Sequence, residues 1–150
     1  VFEGLKVMKK GIIETLEPKP ILEYSKGKYQ SEKDIQNSGK NYVILRLGSV
    51  YGYSSDTARI DIMANLFAKT ASQNGTLRLF AGGKQIKSLV PLIDVARCFK
   101  FMEERSDINN QLFNLTKDTV TVKEVAEICK KVIGSKNLHI ATDNKKIFQQ

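Results

Sequence analysis

The sequence contains few of the residues that mark metal-binding, disulfide-linked or membrane-spanning proteins. It has no tryptophan, one histidine, two cysteines and three prolines in 150 residues. Cys98 and Cys129 lie far apart in apolar helical patterns, so we expect reduced, buried thiols rather than a disulfide or a metal site. No apolar run approaches the roughly 20 residues of a transmembrane helix. The sequence therefore predicts a cytosolic globular protein with no bound metal and no membrane partner.

The sequence also lacks a glycine-rich turn of the kind that joins a strand to a helix and binds a pyrophosphate. Its only adjacent glycines are Gly82 and Gly83, which have the wrong spacing for such a turn.

The first residues, which include no initiator methionine, do not resemble a signal peptide. A chain of 150 residues with 41% hydrophobic residues is long enough for about one domain with a real core.

The formal net charge of +8 is the one feature of the composition that could indicate a nucleic-acid partner. The basic residues are scattered in short pairs, and the aromatic residues do not alternate with them as in a single-strand-binding surface. We therefore expect a lysine-rich solvated surface and no nucleic-acid partner.

Helical and strand patterns alternate along the chain, which predicts an α/β fold. Residues 42–47 form a nearly continuous apolar run, typical of a strand covered on both faces in a parallel sheet. Residues 48–55 are predicted to form a loop at its carboxyl end, where ligands bind in open α/β sheets. Helices are predicted over residues 24–38, 59–73, 94–105 and 121–133, and further strands over 77–80, 87–91, 111–115 and 138–141.

The first predicted helix places Tyr24 and Lys28 on one face, one turn apart. An ammonium group beside a phenol favours the phenolate form, so the pair could transfer protons near neutral pH. The spacing is also compatible with an ordinary lysine-rich helix on the surface. The choice between these interpretations depends on the residues downstream.

Four stretches occur in the order found in the extended short-chain dehydrogenase/reductase family, the NAD-dependent epimerases and dehydratases of nucleotide sugars. The first resembles the family's Tyr-x-x-x-Lys motif, the second its Leu-Arg-x-x-Asn-Val-Tyr-Gly motif, and the third its Gly-x-Gly-x-Gln-x-Arg-x-x-Val motif. The fourth resembles the passage from a strand to a late helix. They are Tyr24–Lys28, Leu45–Gly52, Leu79–Val90 with Ile93–Ala96, and Phe113–Glu124.

The resemblance implies a function and a set of site residues. Tyr24 would be the catalytic acid/base, and Lys28 would support it and hold the ribose of a bound NAD or NADP. Gly48, Ser49 and Val50 would line the cofactor and sugar side of the cleft. Lys87 would contact the diphosphate of a nucleotide-sugar substrate, the alternative being an ordinary surface lysine on an edge strand. Ser49 would be a further substrate-binding residue, and Tyr51 would either bind substrate or serve in packing. A homodimer is also implied.

The sequence departs from the family pattern at Lys87, Ser49 and Pro91. Lys87 replaces an arginine, which keeps the charge but loses bidentate recognition. Ser49 replaces an asparagine, and Pro91 replaces an aromatic residue or histidine. A non-catalytic relative that only binds the dinucleotide therefore remains an alternative.

The resemblance also implies a division of the chain. Residues 1–52 would be the C-terminal part of a Rossmann-like NAD-binding domain. Residues 53–150 would be mostly a small α+β substrate-binding domain, with strands that return to the sheet. Because the glycine-rich turn and a catalytic serine or threonine are expected upstream, we expect a C-terminal portion that is inactive alone.

Overall fold

The computed structural model describes residues 12–55 and 59–143. Within them, helices and strands alternate, which confirms the predicted α/β class. The helices are α1 Glu23–Gln36, α2 Met63–Ser72, α3 Leu92–Glu103 and α4 Val122–Ile133. The strands are β1 Val43–Leu47, β2 Ser49–Tyr51, β3 Thr76–Phe80, β4 Ile86–Pro91, β5 Gln111–Leu115, β6 Asp118–Thr121 and β7 His139–Asp143.

The chain divides into two compact units. Of the described residues, the first unit comprises 12–47 and 97–115, and the second unit comprises 48–55, 59–96 and 116–143. The predicted division at residue 52 into a cofactor-binding part and a substrate-binding part stays a prediction.

The first unit contains a parallel pair of strands. β1 pairs with β5 in register from Val43 opposite Gln111 to Leu47 opposite Leu115. The side chains of β1 are half-buried or exposed rather than buried. The expectation of a strand covered on both faces is therefore wrong for the described residues. The physical reason is the small size of this sheet. The described residues contribute only two strands to it, β1 and β5, and so do not form the larger parallel sheet that is normally covered on both faces.

The second unit contains two small sheets. In one, β4 lies between β2, which is parallel to it, and β6, which is antiparallel. In the other, β3 and β7 pair in parallel. Strands β2 and β6 were not predicted, because each is very short and pairs with a partner distant in sequence. Part of the predicted loop over residues 48–55 is therefore strand β2.

The buried hydrophobic core among the described residues lies in the second unit. In this core, side chains from one face of α2 pack with side chains of α4 and with the inward side chains of β3; β4 and the residue before β7 contribute one side chain each. Its members are Ala64, Phe67, Ala71, Leu77, Leu79, Leu89, Val125, Ala126 and Leu138. The apolar spacing of α2 predicts this face, since residues three and four apart share one side of a helix.

The ends of α4 follow from sequence. Thr121 and Glu124 form the predicted capping box, in which each side chain binds the backbone N–H of the other residue. Gly134 closes the helix with a left-handed backbone, at φ 65°. By contrast, α2 begins four residues later than predicted, at Met63 rather than residue 59.

The two cysteines are free thiols, as expected, but each is half-buried rather than buried. Burial raises the pKa of the Cys129 thiol.

Of the helices in the described ranges, none combines the length and apolar character needed to cross a membrane. Residues 12–55 and 59–143 bring together no cluster of three histidine, cysteine or acidic side chains that could hold a metal ion.

Candidate functional site

Helix α1 of the first unit carries the predicted acid/base pair. Both Tyr24 and Lys28 are exposed, and Tyr24 retains 75% of its accessible surface. The Lys28 ammonium nitrogen lies 5.7 Å from the centre of the Tyr24 ring. The pair therefore presents a phenol and a cation together on one accessible helix face, as the spacing predicts.

A second pair with the same spacing occurs five residues later and was missed in the sequence. The Lys33 ammonium nitrogen lies 4.4 Å from the centre of the Tyr29 ring. The Tyr29 hydroxyl donates a hydrogen bond of 3.3 Å to Glu17. Because five residues rotate a helix by more than a third of a turn beyond one full turn, the two pairs face different directions. The pair at Tyr29 thus provides an internal control for the pair at Tyr24.

An ion pair fixes the orientation of α1 on the first unit's sheet. The guanidinium of Arg46, in β1, donates three hydrogen bonds to the Glu32 carboxylate, at 2.7, 3.0 and 3.2 Å. The two side chains retain only 10% and 11% of their accessible surface. Because a bidentate contact fixes angle as well as distance, it holds the helix that presents Tyr24 and Lys28.

The residues from Gly48 to Tyr51 belong to the second unit. Ser49 is exposed on β2, and Val50 and Tyr51 are half-buried there, with Tyr51 packed against the core. A Cβ atom on Gly48 would lie 2.7 Å from the Ser88 carbonyl oxygen. The glycine therefore permits a close approach of two backbones beside β4.

Asn65 is a residue of this region that sequence reasoning missed. Its side-chain oxygen accepts a hydrogen bond of 3.0 Å from the Gly52 N–H, and its amide donates one of 2.9 Å to the Arg59 carbonyl. Asn65 therefore joins the end of β2 to the residues before α2. The only signal in the sequence was a polar residue within an otherwise apolar helical stretch.

Lys87 lies on β4 and lines two cavities of the second unit. The smaller one, of about 250 Å³, is also lined by Ser49 and Asp61. The larger one, of about 490 Å³, has mostly apolar walls that include Phe67, Leu77 and Phe80. Asp61 and Met63 line both cavities together with Lys87. Sequence reasoning placed Ser49 and Lys87 in one site but missed Asp61 and the apolar cavity.

The described residues thus form two groups. Tyr24 and Lys28 stand together on the first unit, and Ser49 and Lys87 stand together on the second unit. Tyr51 lines neither cavity. It lies close to Lys117, whose pKa is raised mainly by its hydrogen bond to Asp94 and, to a smaller extent, by Tyr51.

The described residues thus show an α/β fold, an exposed phenol–ammonium pair on α1 and, in the second unit, a cavity with mostly apolar walls beside Lys87. Residues 1–105 match the family of the RmlD substrate binding domain, and the chain belongs to this family. No curated protein sequence matches the chain significantly.

Solved structures of the same fold agree with this assignment. The chain is 25% identical to a UDP-glucose 4-epimerase from Thermotoga maritima, solved with UDP-glucose, with a TM-score of 0.74 over 95% of this chain and 47% of that one. A dTDP-glucose 4,6-dehydratase from Bacillus anthracis, in complex with NAD, is 18% identical, with a TM-score of 0.74 over 93% of this chain and 46% of that one.

A third structure, a UDP-glucuronic acid 4-epimerase from Bacillus cereus in complex with UDP-glucuronic acid and NAD, is 21% identical. Its TM-score is 0.74 over 97% of this chain and 46% of that one. The chain therefore spans about half the length of these enzymes. The resemblance to NAD-dependent epimerases and dehydratases is confirmed.

Proposed function

We propose that this chain is part of an NAD(P)-dependent epimerase, dehydratase or reductase that acts on a nucleotide sugar. The observation that carries the proposal is the joint presence of the Tyr24–Lys28 pair on an accessible helix face and of Lys87 beside a cavity of about 490 Å³. The likeness to enzymes solved with UDP-glucose and with NAD supports the same assignment.

The donor set fits the proposed cofactor. The Tyr24 hydroxyl and the Lys28 ammonium are both exposed and lie on the same side of α1, where they can hydrogen-bond the hydroxyls of a ribose. Gly48, Ser49 and Val50, in the second unit, are the further residues that we propose for cofactor binding. When bound, NAD or NADP supplies hydride transfer at the sugar ring.

In this proposal, Tyr24 moves a proton to or from the reacting hydroxyl or carbonyl oxygen of the sugar. Proton transfer leaves negative charge on the phenol oxygen, and the Lys28 ammonium beside the ring stabilises that charge. The Glu32–Arg46 ion pair contributes indirectly, because it fixes the helix on which both residues stand.

The second unit would bind the nucleotide sugar. The apolar walls of the larger cavity suit a flat base, and Lys87 supplies a positive charge where a diphosphate would lie. Ser49 supplies a hydroxyl in the adjoining smaller cavity. We retain Tyr51 only as a packing residue close to this region.

We further propose that the chain is inactive alone and that the active protein is a homodimer. The sequence has no glycine-rich turn for the pyrophosphate, and the chain spans 46–47% of the enzymes that it resembles. The chain itself is not expected to bind the dinucleotide, since the missing turn supplies the backbone N–H groups for the pyrophosphate.

Two measurements test these statements separately. The chain contains no tryptophan, so the fluorescence of NADH can be followed directly when NADH is titrated into it. We expect no saturable binding, and saturation would contradict the statement that the pyrophosphate site lies outside residues 1–150.

In the intact protein, we expect NAD(P)-dependent turnover of a UDP- or dTDP-sugar. Cofactor binding without turnover of any nucleotide sugar would instead favour the non-catalytic relative.

A further inference from the structure

The two cavities of the second unit differ in chemistry but share part of their walls. The wall surface of the larger one is mostly apolar, although Arg78 and Gln85 also line it, whereas the smaller one is lined by the polar side chains of Ser49, Asp61 and Lys87. Asp61 and Lys87 belong to both cavities and therefore mark the place where they adjoin. A ligand that occupies both cavities must lie next to one carboxylate and one ammonium.

The position of the Asp61 carboxylate is fixed by a neighbouring arginine. The Arg59 guanidinium donates hydrogen bonds of 3.2 and 2.6 Å to its two oxygens. The hydrogen bond from Arg59 lowers the pKa of Asp61, so this carboxylate is ionised near neutral pH. It still presents lone pairs to the cavity, since a carboxylate has about four acceptor sites.

Apart from Lys87, the polar groups of the smaller cavity match a part of the ligand that has hydroxyl groups and no negative charge. Asp61 accepts hydrogen bonds from hydroxyls, and Ser49 both donates and accepts them. Among the described residues that line this cavity, Lys87 is the one cation. If a diphosphate occupies Lys87, an additional carboxylate on the ligand would meet the Asp61 carboxylate, which lines the cavities, whereas its partner Arg59 lines neither.

We infer that Asp61 is a specificity-determining residue that favours nucleotide sugars with a neutral sugar over those whose sugar carries a carboxylate. This inference rests on the proposed function, and it adds a preference that neither the family nor the similar structures establish, since those structures contain both UDP-glucose and UDP-glucuronic acid.

The expected size of the effect follows from exposure. The Asp61 side chain retains 67% of its accessible surface, so solvent screens its charge strongly. A pair of charges a few ångströms apart in such an environment changes affinity by roughly 3- to 10-fold.

Isothermal titration of the intact protein with UDP-glucose and UDP-glucuronic acid tests the inference. For the wild type, we expect tighter binding of UDP-glucose. In Asp61→Asn, the affinity for UDP-glucuronic acid relative to that for UDP-glucose should rise by roughly 3- to 10-fold. The preference of the wild type should also weaken as salt is raised, because the effect is electrostatic.

The chain offers a matched control. Arg105 and Asp107 repeat the spacing of Arg59 and Asp61, with the same pairing of arginine nitrogens to carboxylate oxygens, at 2.6 and 2.6 Å. Asp107 lines neither cavity. Asp107→Asn should therefore leave the ratio unchanged, and Asp61→Glu should keep the preference of the wild type.

The outcomes separate the inference from the proposed function. If both nucleotide sugars bind but Asp61→Asn leaves their ratio unchanged, the inference is overturned and the proposed function stands. The same conclusion follows if the ratio changes equally in Asp107→Asn. If neither nucleotide sugar binds the wild type, both statements are wrong.

Discussion

Arg46 on β1 and Glu32 on α1 form a nearly buried, bidentate ion pair, with the shortest contact at 2.7 Å between Nη2 and Oε2. Arg46 belongs to the Leu45–Gly52 motif recognised in the sequence, and Glu32 lies four residues after Lys28, the end of the Tyr24–Lys28 motif. The contact therefore connects two stretches that the sequence presents separately. It also sets the orientation of the helix that carries Tyr24.

Removal of one partner of this pair should destabilise the protein strongly. Arg46→Leu leaves a buried carboxylate without its counter-ion, and we expect a loss of about 3–5 kcal/mol in the free energy of unfolding. Urea denaturation followed by circular dichroism measures it. The double variant Glu32→Leu/Arg46→Leu should recover part of the loss, because no unpaired charge remains. Arg105→Leu, at an exposed ion pair, should have a much smaller effect.

The stability of the second unit should decrease in acid through Glu124. The N–H and hydroxyl of Thr121 donate hydrogen bonds to the Glu124 carboxylate and lower the pKa of Glu124 from the ordinary value of 4.5. Because the folded state has the lower pKa, this contribution is fully present above pH 4.5 and is lost as the pH falls through the lowered value. Urea midpoints at neutral pH and below pH 4 should differ less in Glu124→Gln than in the wild type. An equal difference in the two proteins would contradict this account of the cap.

Two glycines should respond to alanine in opposite directions. Gly27 lies within α1, and no atom lies within 4 Å of the position that its Cβ would take. Gly27→Ala should therefore stabilise the protein by about 0.5–1 kcal/mol, since glycine disfavours a helix interior. Gly48→Ala should destabilise it by about 1–3 kcal/mol, because the new Cβ would meet the Ser88 carbonyl oxygen at 2.7 Å. Thermal unfolding of the two variants tests both signs.

Ala81 carries a strained backbone beside the larger cavity. Its φ of 46° lies in the left-handed region, and it is the one residue other than glycine or asparagine with a positive φ in the described ranges. Ala81→Gly should stabilise the protein by about 0.5–1 kcal/mol, the relief of strain less the backbone entropy of glycine. Asn74→Gly, at φ 53°, is the control and should give a smaller gain, because asparagine tolerates this conformation. Equal gains in stability for Ala81→Gly and Asn74→Gly would show that relief of backbone strain at Ala81 does not cause the stabilisation.

Local patterns predicted much of the fold. Among the described residues, the four helices, the α4 capping box and five of the seven strands follow from apolar periodicity and capping residues. Strands β2 and β6 did not, because three or four residues carry too little pattern, and their pairing with β4 is a long-range property.

The candidate site was predictable to a similar extent. Tyr24 with Lys28, and Ser49 with Lys87, were recognised by motif, and each pair lies together in its unit. Asp61 was not recognised, since its place beside Lys87 is a long-range property of the fold and does not follow from spacing in the sequence. Asn65 was missed for the same reason.

The most direct test of the account is the turnover of a nucleotide sugar by Tyr24→Phe in the intact protein, with Tyr29→Phe as the matched control. Both variants remove one phenol hydroxyl beside a lysine on the same helix. We expect Tyr24→Phe to keep the fold and lose turnover by at least 100-fold, in the range of general acid–base contributions of about 100- to 10,000-fold, whereas Tyr29→Phe stays near the wild type. Turnover near the wild-type value in Tyr24→Phe would contradict the catalytic role of Tyr24.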